Sequence, residues 1–323
     1  MPRFLLFAAA CLLATAAAAD VTCPPIFGDR MVLQRDRPVP VWGSADPAER
    51  ITVKFGGQTH QAVAGPDGRW RVTLDPLAAS GQPRLLSIRG KNTLLFADVL
   101  VGEVWLCSGQ SNMEKPLGPR VRQMPTDNYE AELTQAECPP LRLFRMPKLG
   151  VAQPGDHTRT WLACSAESLM AADFSAAAYY FGRELVRELG VPVGLVQSTV
   201  GGTRIEAWMP LAAFEADPAL RGLEKVRYPQ SVEGLQATEL YTAMIAPLAP
   251  YALRGFLWYQ GEANCLNAEN ESYTAKMRGL IQSWRNAWND GAAPFYFAQL
   301  APYTYSALTN RPKQVTAEAL PAL

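Results

Sequence analysis

Residues 98–116 read DVLVGEVWLCSGQSNMEKP, and this stretch decides the fold. Its apolar run, Val99 to Cys107, is long enough for a strand that is buried on both faces of a parallel sheet. The run ends at Ser108-Gly109, and a short polar segment with a serine at its centre follows. This serine is predicted to lie at the carboxyl edge of the sheet, where open α/β sheets bind ligands. Taken alone, a serine in this position is more often part of an ordinary turn.

The composition excludes several classes of protein. The chain has 323 residues, of which 48% are hydrophobic, enough for two domains with cores of their own. It carries 30 basic and 30 acidic side chains, so its formal net charge is zero. Without a basic patch or a long run of one sign, we expect no nucleic-acid partner and no binding to an anionic membrane.

The first 19 residues are predicted to be a secretory signal peptide. Arg3 precedes an apolar run that ends in Ala17-Ala18-Ala19, which is typical of a cleavage site. The run is too short for a membrane span, and no later segment reaches the necessary length. We therefore expect an exported protein, periplasmic or extracellular, with no membrane span.

Export would place the cysteines in a compartment that permits disulfides. Six are present, and removal of Cys11 with the signal peptide leaves an odd number. Cys107 lies inside the apolar strand, and the pair best placed for a disulfide is Cys138 with Cys164. There is no CxxC motif and there are only two histidines, so neither a metal nor another cofactor is expected.

Residues 26–95 show the two-residue alternation of β-strands. Ile51, Val53 and Phe55 alternate with polar residues, and a similar run begins at Trp70. Asp67-Gly68 between these runs predicts a hairpin. Short strands separated by Gly, Pro and Asp predict a small antiparallel β-sandwich domain over residues 20–97.

From residue 98 onward, strands alternate with helices. Residues 115–173 are rich in proline and are predicted to be irregular. Apolar residues at helical spacing then run from Phe174 to Leu189, with Asp173 as N-cap and Gly190 as the terminating residue. This alternation predicts a parallel sheet covered by helices on both faces, over residues 98–323. The remaining predicted elements are strands at 191–198, 253–259 and 295–300 and helices at 239–248 and 277–288.

Three of the predicted strands end in glycine plus polar side chains. The segments are SGQSN at 108–112, STVGGT at 198–203 and WYQGEAN at 258–264. In a parallel sheet, the ends of these strands lie at one edge, so the three segments are predicted to converge. Each segment alone is weak evidence for a site, because a loop often contains glycine only for its backbone conformation.

Four blocks in this order resemble the sialate O-acetylesterases, a carbohydrate-esterase branch of the SGNH hydrolases. They are GQSNM at 109–113, FSAAAYYF at 174–181, GGTRIEAW at 201–208 and WYQGEAN at 258–264. The resemblance implies an SGNH-hydrolase-like three-layer α/β/α domain with a parallel sheet, preceded by the small antiparallel β-sandwich.

The resemblance also implies an activity. Ser111 would be the nucleophile that removes O-acetyl groups from sialic acid or related acetylated sugars through an acyl-enzyme. The oxyanion would be held by the Ser111 N–H, by an N–H of Gly201 or Gly202, and by the Gln260 side chain.

Other polar residues of the blocks are expected to support the site. Gln110 and Asn112 flank the serine, and Glu262 would orient its neighbours because an ionised carboxylate cannot donate. Asn264 is the alternative to Gln260 as side-chain donor. For Gln260, Glu262 and Asn264, each taken singly, a purely structural role in the loop is an equally good interpretation.

One departure from the family pattern concerns the base. The family places an Asp-x-x-His block beyond the fourth strand, whereas this sequence has no histidine after His157. His157 lies in PGDHTRT, which is predicted to be a solvated turn, and His60 lies in the β-sandwich, so neither is expected to replace this base. The expectation is therefore that the chain is C-terminally incomplete and that its esterase activity is doubtful.

Two alternatives remain open at this stage. The enzyme could be an acetyl xylan esterase or another glycan deacetylase, because residues 115–173, which would select the substrate, carry no pattern. The chain could instead be an inactive glycan-binding remnant without the catalytic histidine. In each case the partner is an acetylated sugar or glycan, and the sequence leaves the oligomeric state open.

Overall fold

The computed structural model describes residues 20–120, 123–150, 159–225, 235–266 and 270–302. The predicted signal peptide lies outside these ranges. Inside them, no helix combines the length and the apolar character that crossing a membrane requires.

The N-terminal part consists of seven strands, which are β1 (Val32–Gln34), β2 (Val39–Ser44), β3 (Arg50–Phe55), β4 (Gln58–Val63), β5 (Arg69–Leu74), β6 (Ser80–Arg89) and β7 (Thr93–Gly109). β2 and β5 pair in a separate antiparallel sheet. The others pair in the order β4–β3–β6–β7, all antiparallel, while β1 lies parallel to β7. Buried and exposed side chains alternate along β3 and β5, as expected where one sheet face covers a core. The predicted antiparallel lead-in is confirmed.

The predicted hairpin at Asp67-Gly68 is wrong. A turn is present there, but β4 and β5 on either side of it belong to different sheets. The tight hairpin is instead at Gly56-Gly57, where Phe55 and Gln58 are register partners. Both glycines have positive φ, 58° and 85°, as a two-residue hairpin turn favours.

β7 belongs to both parts of the molecule. Its first half pairs with β6, and residues 103–109 pair with strands of the parallel sheet. Asp98 lies at a register shift within the half that pairs with β6 and has a φ of 55°. Its carboxylate binds both terminal nitrogens of the Arg142 guanidinium, at 2.7 and 3.1 Å. The predicted boundary at residues 97/98 therefore falls inside one continuous strand.

The C-terminal part is a parallel sheet with helices, as predicted. The strands lie in the order β9–β8–β10–β7–β11–β12, all parallel except β9. Its elements are α1 (Ser111–Glu114), α2 (Tyr129–Leu133), β8 (Cys138–Arg145), β9 (Trp161–Cys164), α3 (Ala166–Ala171), α4 (Ala176–Leu189), β10 (Val193–Thr199), α5 (Leu211–Ala216), β11 (Gly255–Tyr259), α6 (Glu262–Leu266), α7 (Asn270–Ala287) and β12 (Phe295–Phe297).

Residues 115–173 are more regular than the sequence suggested. They contain α2, α3 and the antiparallel pair β8–β9, and β8 also pairs with β10 inside the parallel sheet. Two features hid β8: it contains Pro139-Pro140, and Arg142 interrupts its apolar residues. Arg142 is nevertheless 5% exposed, because its charge is bound by Asp98.

The helix predicted after residue 173 is present, but its N-cap is Ser175. The Ser175 Oγ accepts a hydrogen bond from the Ala178 N–H at 3.1 Å. Asp173 has a φ of 47° and belongs to the preceding turn. Gly190 terminates α4 with a φ of 63°, as predicted. The helix expected at 239–248 is a π-helical turn followed by a 3₁₀ turn that contains Pro247.

The two faces of the parallel sheet bury different sets of apolar residues. Val104 and Leu106 of β7 belong to a core shared with the N-terminal sheets and with Trp284 of α7. Trp105 and Cys107 face a second core that includes residues of α4. This alternation places helices on both faces and confirms the three-layer arrangement.

The last predicted strand is shorter than expected. The apolar stretch 295–300 forms a strand only at Phe295–Phe297, which pairs with β11 at the edge of the described sheet. Tyr296 and Phe297 are 56% and 53% exposed, whereas the apolar pattern predicted burial on both faces.

The predicted disulfide is not formed in this structure. All five cysteines in the described residues are free thiols. Cys138 and Cys164 are nevertheless register partners in the antiparallel pair β8–β9.

Candidate active site

The three glycine-containing segments meet at one edge of the sheet, as predicted. β7 lies between β10 and β11, and Gly109 at its end is the register partner of both Thr199 and Tyr259. Strands from successive parts of the chain thus flank β7 on opposite sides. This is a topological switch point, the place where open α/β sheets form a ligand crevice.

Gly109 allows this close approach. Its φ is +140°, and a Cβ built on it would lie 2.1 Å from the Tyr259 carbonyl oxygen. A side chain at this position would therefore clash with the backbone of β11. The next residue, Gln110, donates its N–H to the same carbonyl at 3.0 Å, which fixes the chain as it enters α1.

Ser111 is the first residue of α1 and has an exposed side chain. By contrast, Gln110 before it is 3% exposed, and Met113 and Glu114 later in the turn are 4% and 3% exposed. Among the described contacts, neither the hydroxyl nor the N–H of Ser111 has a hydrogen-bond partner. The site thus presents an accessible hydroxyl beside an unpartnered amide.

The Gly201–Gly202 turn lies against Ser111. A Cβ built on Gly201 would be 3.5 Å from the Ser111 Cβ and 3.1 Å from Glu114 Oε2. The Gly201 N–H donates to Glu114 Oε2 at 2.5 Å, so this predicted oxyanion donor is engaged by a carboxylate. Gly202 is exposed, has a φ of +73°, and its N–H has no partner in the described part of the chain.

Gln260 reaches the same region but is 3% exposed. Its amide nitrogen lies within hydrogen-bonding distance of three acceptors: Asn264 Oδ1 at 2.8 Å, the Thr203 carbonyl at 3.0 Å and Gln110 Oε1 at 3.1 Å. Its carbonyl Oε1 accepts from the Tyr273 hydroxyl at 2.8 Å. Both ends of the Gln260 amide are therefore engaged inside the protein.

Gln110 and Asn264 extend this network beneath the site. Gln110 Oε1 also accepts from the Ala263 N–H at 3.2 Å, so it ties α1 to the start of α6. Asn264, which is 1% exposed, accepts from the Ile205 N–H at 3.1 Å and donates to Glu206 Oε2 at 3.1 Å. The three segments at the strand ends are thus joined by buried side-chain amides.

Asn112 and Glu262 form a second polar pair beside the serine. The Asn112 amide donates to Glu262 Oε1. The other oxygen, Oε2, is buried and has no hydrogen-bond partner among the described residues. Burial raises the pKa of the Glu262 carboxyl, although hydrogen bonds from Asn112 and from the backbone oppose this effect.

Sequence reasoning missed Glu114, Tyr273 and Glu206. Glu114 Oε1 pairs with Arg120 at 2.9 Å and with Lys148 at 2.6 Å. Only its position directly after GQSNM could have pointed to it. Tyr273 donates to Gln260, and Glu206 accepts from Asn264. These contacts join residues distant in the sequence, so no local pattern predicts them.

The structure places no histidine beside Ser111 in the described ranges. His60 lies on β4, in the N-terminal sheet, where it contacts Gln58 Oε1 at 3.1 Å. His157 lies outside the described residues. No group of three or more His, Cys, Asp or Glu side chains that could hold a metal ion occurs in the described part of the chain.

Comparison with known proteins identifies the family. The model of the family "carbohydrate esterase, sialic acid-specific acetylesterase" matches residues 101–322. Sialate O-acetylesterase of Mus musculus is 30% identical over 324 residues, covering 84% of this chain and 59% of the mouse protein. The Homo sapiens sialate O-acetylesterase is 30% identical over 300 residues, covering 84% of this chain and 55% of the human protein.

A solved structure agrees with these relatives. The crystal structure of a carbohydrate acetylesterase from Xanthomonas citri superposes with a TM-score of 0.72 at 36% sequence identity. The alignment covers 86% of this chain and 60% of the Xanthomonas citri chain. The chain thus spans less than two thirds of the length of these similar proteins. Since the family model matches more than half of its residues, the chain belongs to the carbohydrate esterase family of sialic acid-specific acetylesterases.

Proposed function

We propose that this protein is an exported carbohydrate O-acetylesterase that uses Ser111 as its nucleophile. The single observation that carries the proposal is the exposed Ser111 hydroxyl, which lies at the switch point of the sheet beside unpartnered backbone amides. The names of the mouse, human and Xanthomonas citri relatives support acetylated sugars as the substrate class.

The reaction would proceed in two steps. Ser111 Oγ attacks the acetyl carbonyl carbon and passes its proton to a base, and the carbonyl oxygen becomes an oxyanion. Collapse of this intermediate breaks the ester bond and releases the sugar hydroxyl, which takes up a proton. Water then attacks acetyl-Ser111, and acetate leaves with regeneration of the serine.

The described hydrogen bonds favour two donors for the oxyanion. The N–H groups of Ser111 and Gly202 have no protein acceptor in the described residues, so they can bind a developing charge without breaking an existing bond. The Gly201 N–H would first have to break its hydrogen bond to Glu114. The Gln260 amide nitrogen would have to leave its three interior acceptors. We therefore assign Gly201 and Gln260 to holding the loops that position the donors.

The experiment is to trap the acetyl-enzyme. The protein is incubated with an activated aryl acetate, quenched in acid and digested, and the peptide containing Ser111 is examined by mass spectrometry. We expect an acetyl adduct on Ser111 that is absent from Ser111→Ala. Acetate release from acetylated sialic acid and acetylated xylan, measured in parallel, compares the two substrate hypotheses. An unmodified Ser111 peptide would overturn the proposal.

A second candidate function is glycan binding without turnover. It is favoured by one observation: in the described part of the chain, no histidine lies beside Ser111 to accept its proton. This candidate predicts that acetylated sugars bind, by calorimetry, to wild type and Ser111→Ala alike, with no acetate release from either. Acetate release that depends on Ser111 would exclude it.

A further inference from the structure

Glu114 is a carboxylate in an unusual position. It is the last residue of the short turn α1 that begins at Ser111, and it is 3% exposed. Burial of a charged carboxylate is unfavourable unless it is paired and hydrogen-bonded. A buried glutamate three residues after the candidate nucleophile therefore needs an explanation beyond solubility.

Three partners from separate segments converge on this carboxylate. Oε2 accepts the Gly201 N–H from the turn after β10. Oε1 pairs with Arg120, and also with Lys148 from the turn after β8. Glu114 thus connects the Ser111 turn to the second strand end and to two half-exposed cations, whose side chains are 30% and 44% exposed.

The position of Gly201 shows what this connection does. The Gly201 backbone lies beside Ser111, since a Cβ built on Gly201 would be 3.5 Å from the Ser111 Cβ. Capture of the Gly201 N–H orients the turn, and the next amide, that of Gly202, is left without an acceptor in the described chain. A loosened turn would no longer hold that amide at a fixed distance from Ser111.

The charge of Glu114 is maintained by its partners. Burial alone would raise the pKa of the Glu114 carboxyl, but hydrogen bonds and charges from Lys148 and Arg120 outweigh it, and the pKa is lowered. The group is therefore ionised at neutral pH, and it accepts hydrogen bonds through both oxygens.

We propose that Glu114 is a positioning residue of the esterase site, whose ionised carboxylate holds the Gly201–Gly202 turn against Ser111 so that the Gly202 N–H can bind the oxyanion. This inference rests on the proposed function. It assigns no proton transfer to Glu114, whose role is to fix the geometry of the backbone donor. Misplacement of catalytic groups by about 1 Å can lower a rate by about 10²-fold.

The first test compares Glu114→Gln and Glu114→Ala with wild type in the acetylation of Ser111 by an aryl acetate. We expect acylation to be about 10–100-fold slower in Glu114→Ala, with the half-saturating ester concentration changed less than about twofold. Glu114→Gln keeps one oxygen for the Gly201 N–H but loses the attraction for the two cations, so its loss should be smaller.

Glu103 offers a matched control on β7, the strand that leads to Ser111. Glu103 of β7 is also a buried carboxylate, 4% exposed, and it pairs with Arg35 at 2.6 Å and Arg254 at 3.6 Å. It precedes Gly109 by six residues, about 20 Å along the strand. Glu103→Gln should therefore acylate at the wild-type rate within about twofold.

The second measurement does not depend on activity. Hydrogen–deuterium exchange of the peptide spanning residues 199–203 should be faster in Glu114→Ala and unchanged in Glu103→Gln and Ser111→Ala. If wild type fails to acylate at Ser111, the esterase proposal fails, but this exchange still decides whether Glu114 orders the turn.

One further variant tests the same cluster without changing a buried residue, so it is expected to fold normally. Lys148 is half-exposed, so Lys148→Ala weakens the same cluster without emptying a buried site; we expect acylation slower by severalfold. Wild-type acylation in the folded Glu114 variants would overturn the inference. Unchanged exchange at residues 199–203 in Glu114→Ala, or wild-type acylation in Lys148→Ala, would do the same.

Discussion

Ser111 differs from its neighbours because its side chain is exposed while Gln110, Met113 and Glu114 are buried. This pattern results from the end of β7, where Gly109 adopts a φ of +140° and the chain turns at once into α1. Gln110 is then drawn inward by hydrogen bonds to the segment after β11. The serine hydroxyl is presented at the edge of the sheet as a consequence.

Gln260 provides a prediction at the residue scale. Among the described contacts, the Gln260 amide nitrogen is the donor to the Thr203 carbonyl, whereas Gln110 Oε1 and Asn264 Oδ1 also accept from backbone N–H groups. Gln260→Ala should therefore leave the buried Thr203 carbonyl without this donor and lower the free energy of unfolding by about 1–3 kcal/mol. The resulting shift of Gln110 and Ser111 should slow acylation by about 10²-fold. Urea unfolding and acylation kinetics measure the two effects.

The alternative role of Gln260 has a different signature. A direct oxyanion donor would lose about 10²–10³ in the rate constant with little change in KM. An unchanged free energy of unfolding together with such a loss would restore Gln260 as the donor and contradict the scaffold assignment. Asn264→Ala, at the neighbouring amide in the same network, serves as the companion variant.

At the scale of elements, β7 has two pairing environments. Residues 93–101 pair with β6, whereas residues 103–109 pair with β10 and residues 105–109 also pair with β11. Asp98 tolerates a φ of 55°, which acidic and amide residues adopt more readily than most, and its carboxylate is held by Arg142 of β8. The junction is therefore stabilised by an ion pair from the segment that the sequence pattern left unassigned.

The β8–β9 pair yields a prediction about redox state. Cys138 and Cys164 are directly opposite each other, and opposite residues in antiparallel strands have Cα atoms about 4.5–5.5 Å apart, within the range of a disulfide. Burial raises the pKa of both thiols, so the reactive thiolate is scarce. We expect slow but complete disulfide formation with oxidised glutathione, and a stability gain of about 2–4 kcal/mol.

Non-reducing peptide mapping measures this bond. Cys138→Ser is the control and should show no change in unfolding upon oxidation. Full alkylation of both Cys138 and Cys164 after prolonged oxidation of the native protein would contradict the prediction.

At the scale of the whole molecule, the two parts share a core as well as a strand. Apolar residues of the N-terminal sheets, one face of the parallel sheet and α7 form one contiguous cluster. Because this core is shared, we expect the two parts to unfold together in global unfolding. Opening of the strand-end turns at the site is a separate, local event.

Two glutamates at the site should affect global stability with opposite signs. The pKa of Glu114 is lowered from its ordinary 4.5, so its ionisation favours the folded state, and Glu114→Gln should destabilise the protein near pH 7. That difference should persist above pH 4.5 and be lost as the pH falls through the lowered pKa. Urea midpoints across this range measure it.

Glu262 is the opposite case. Burial raises its pKa from 4.5, so ionisation near pH 7 disfavours the folded state, and Glu262→Gln should raise the urea midpoint there. The gain should shrink as the pH falls through the raised pKa and should be absent below pH 4.5. A lower midpoint for Glu262→Gln at neutral pH would show that its ionised form stabilises the fold.

The sequence by itself determined the alternation of strands and helices, the three glycine-containing strand ends and Ser111 at the first of them. These features are local, because buried parallel strands require continuous apolar runs and tight strand ends require glycine. The cap of α4 was displaced by only two residues, since Ser175 and Asp173 are both capable N-caps.

Only the tertiary structure decided how the strand-end amides are used. Glu114 and Gly201 are 87 residues apart, and Gln110 and Gln260 are 150 apart, so no local pattern records their hydrogen bonds. The same reason explains β8, whose buried arginine depends on Asp98, 44 residues earlier. A polar side chain at a strand end can face substrate or neutralise a distant buried partner, and which of the two occurs depends on the partners that folding places beside it.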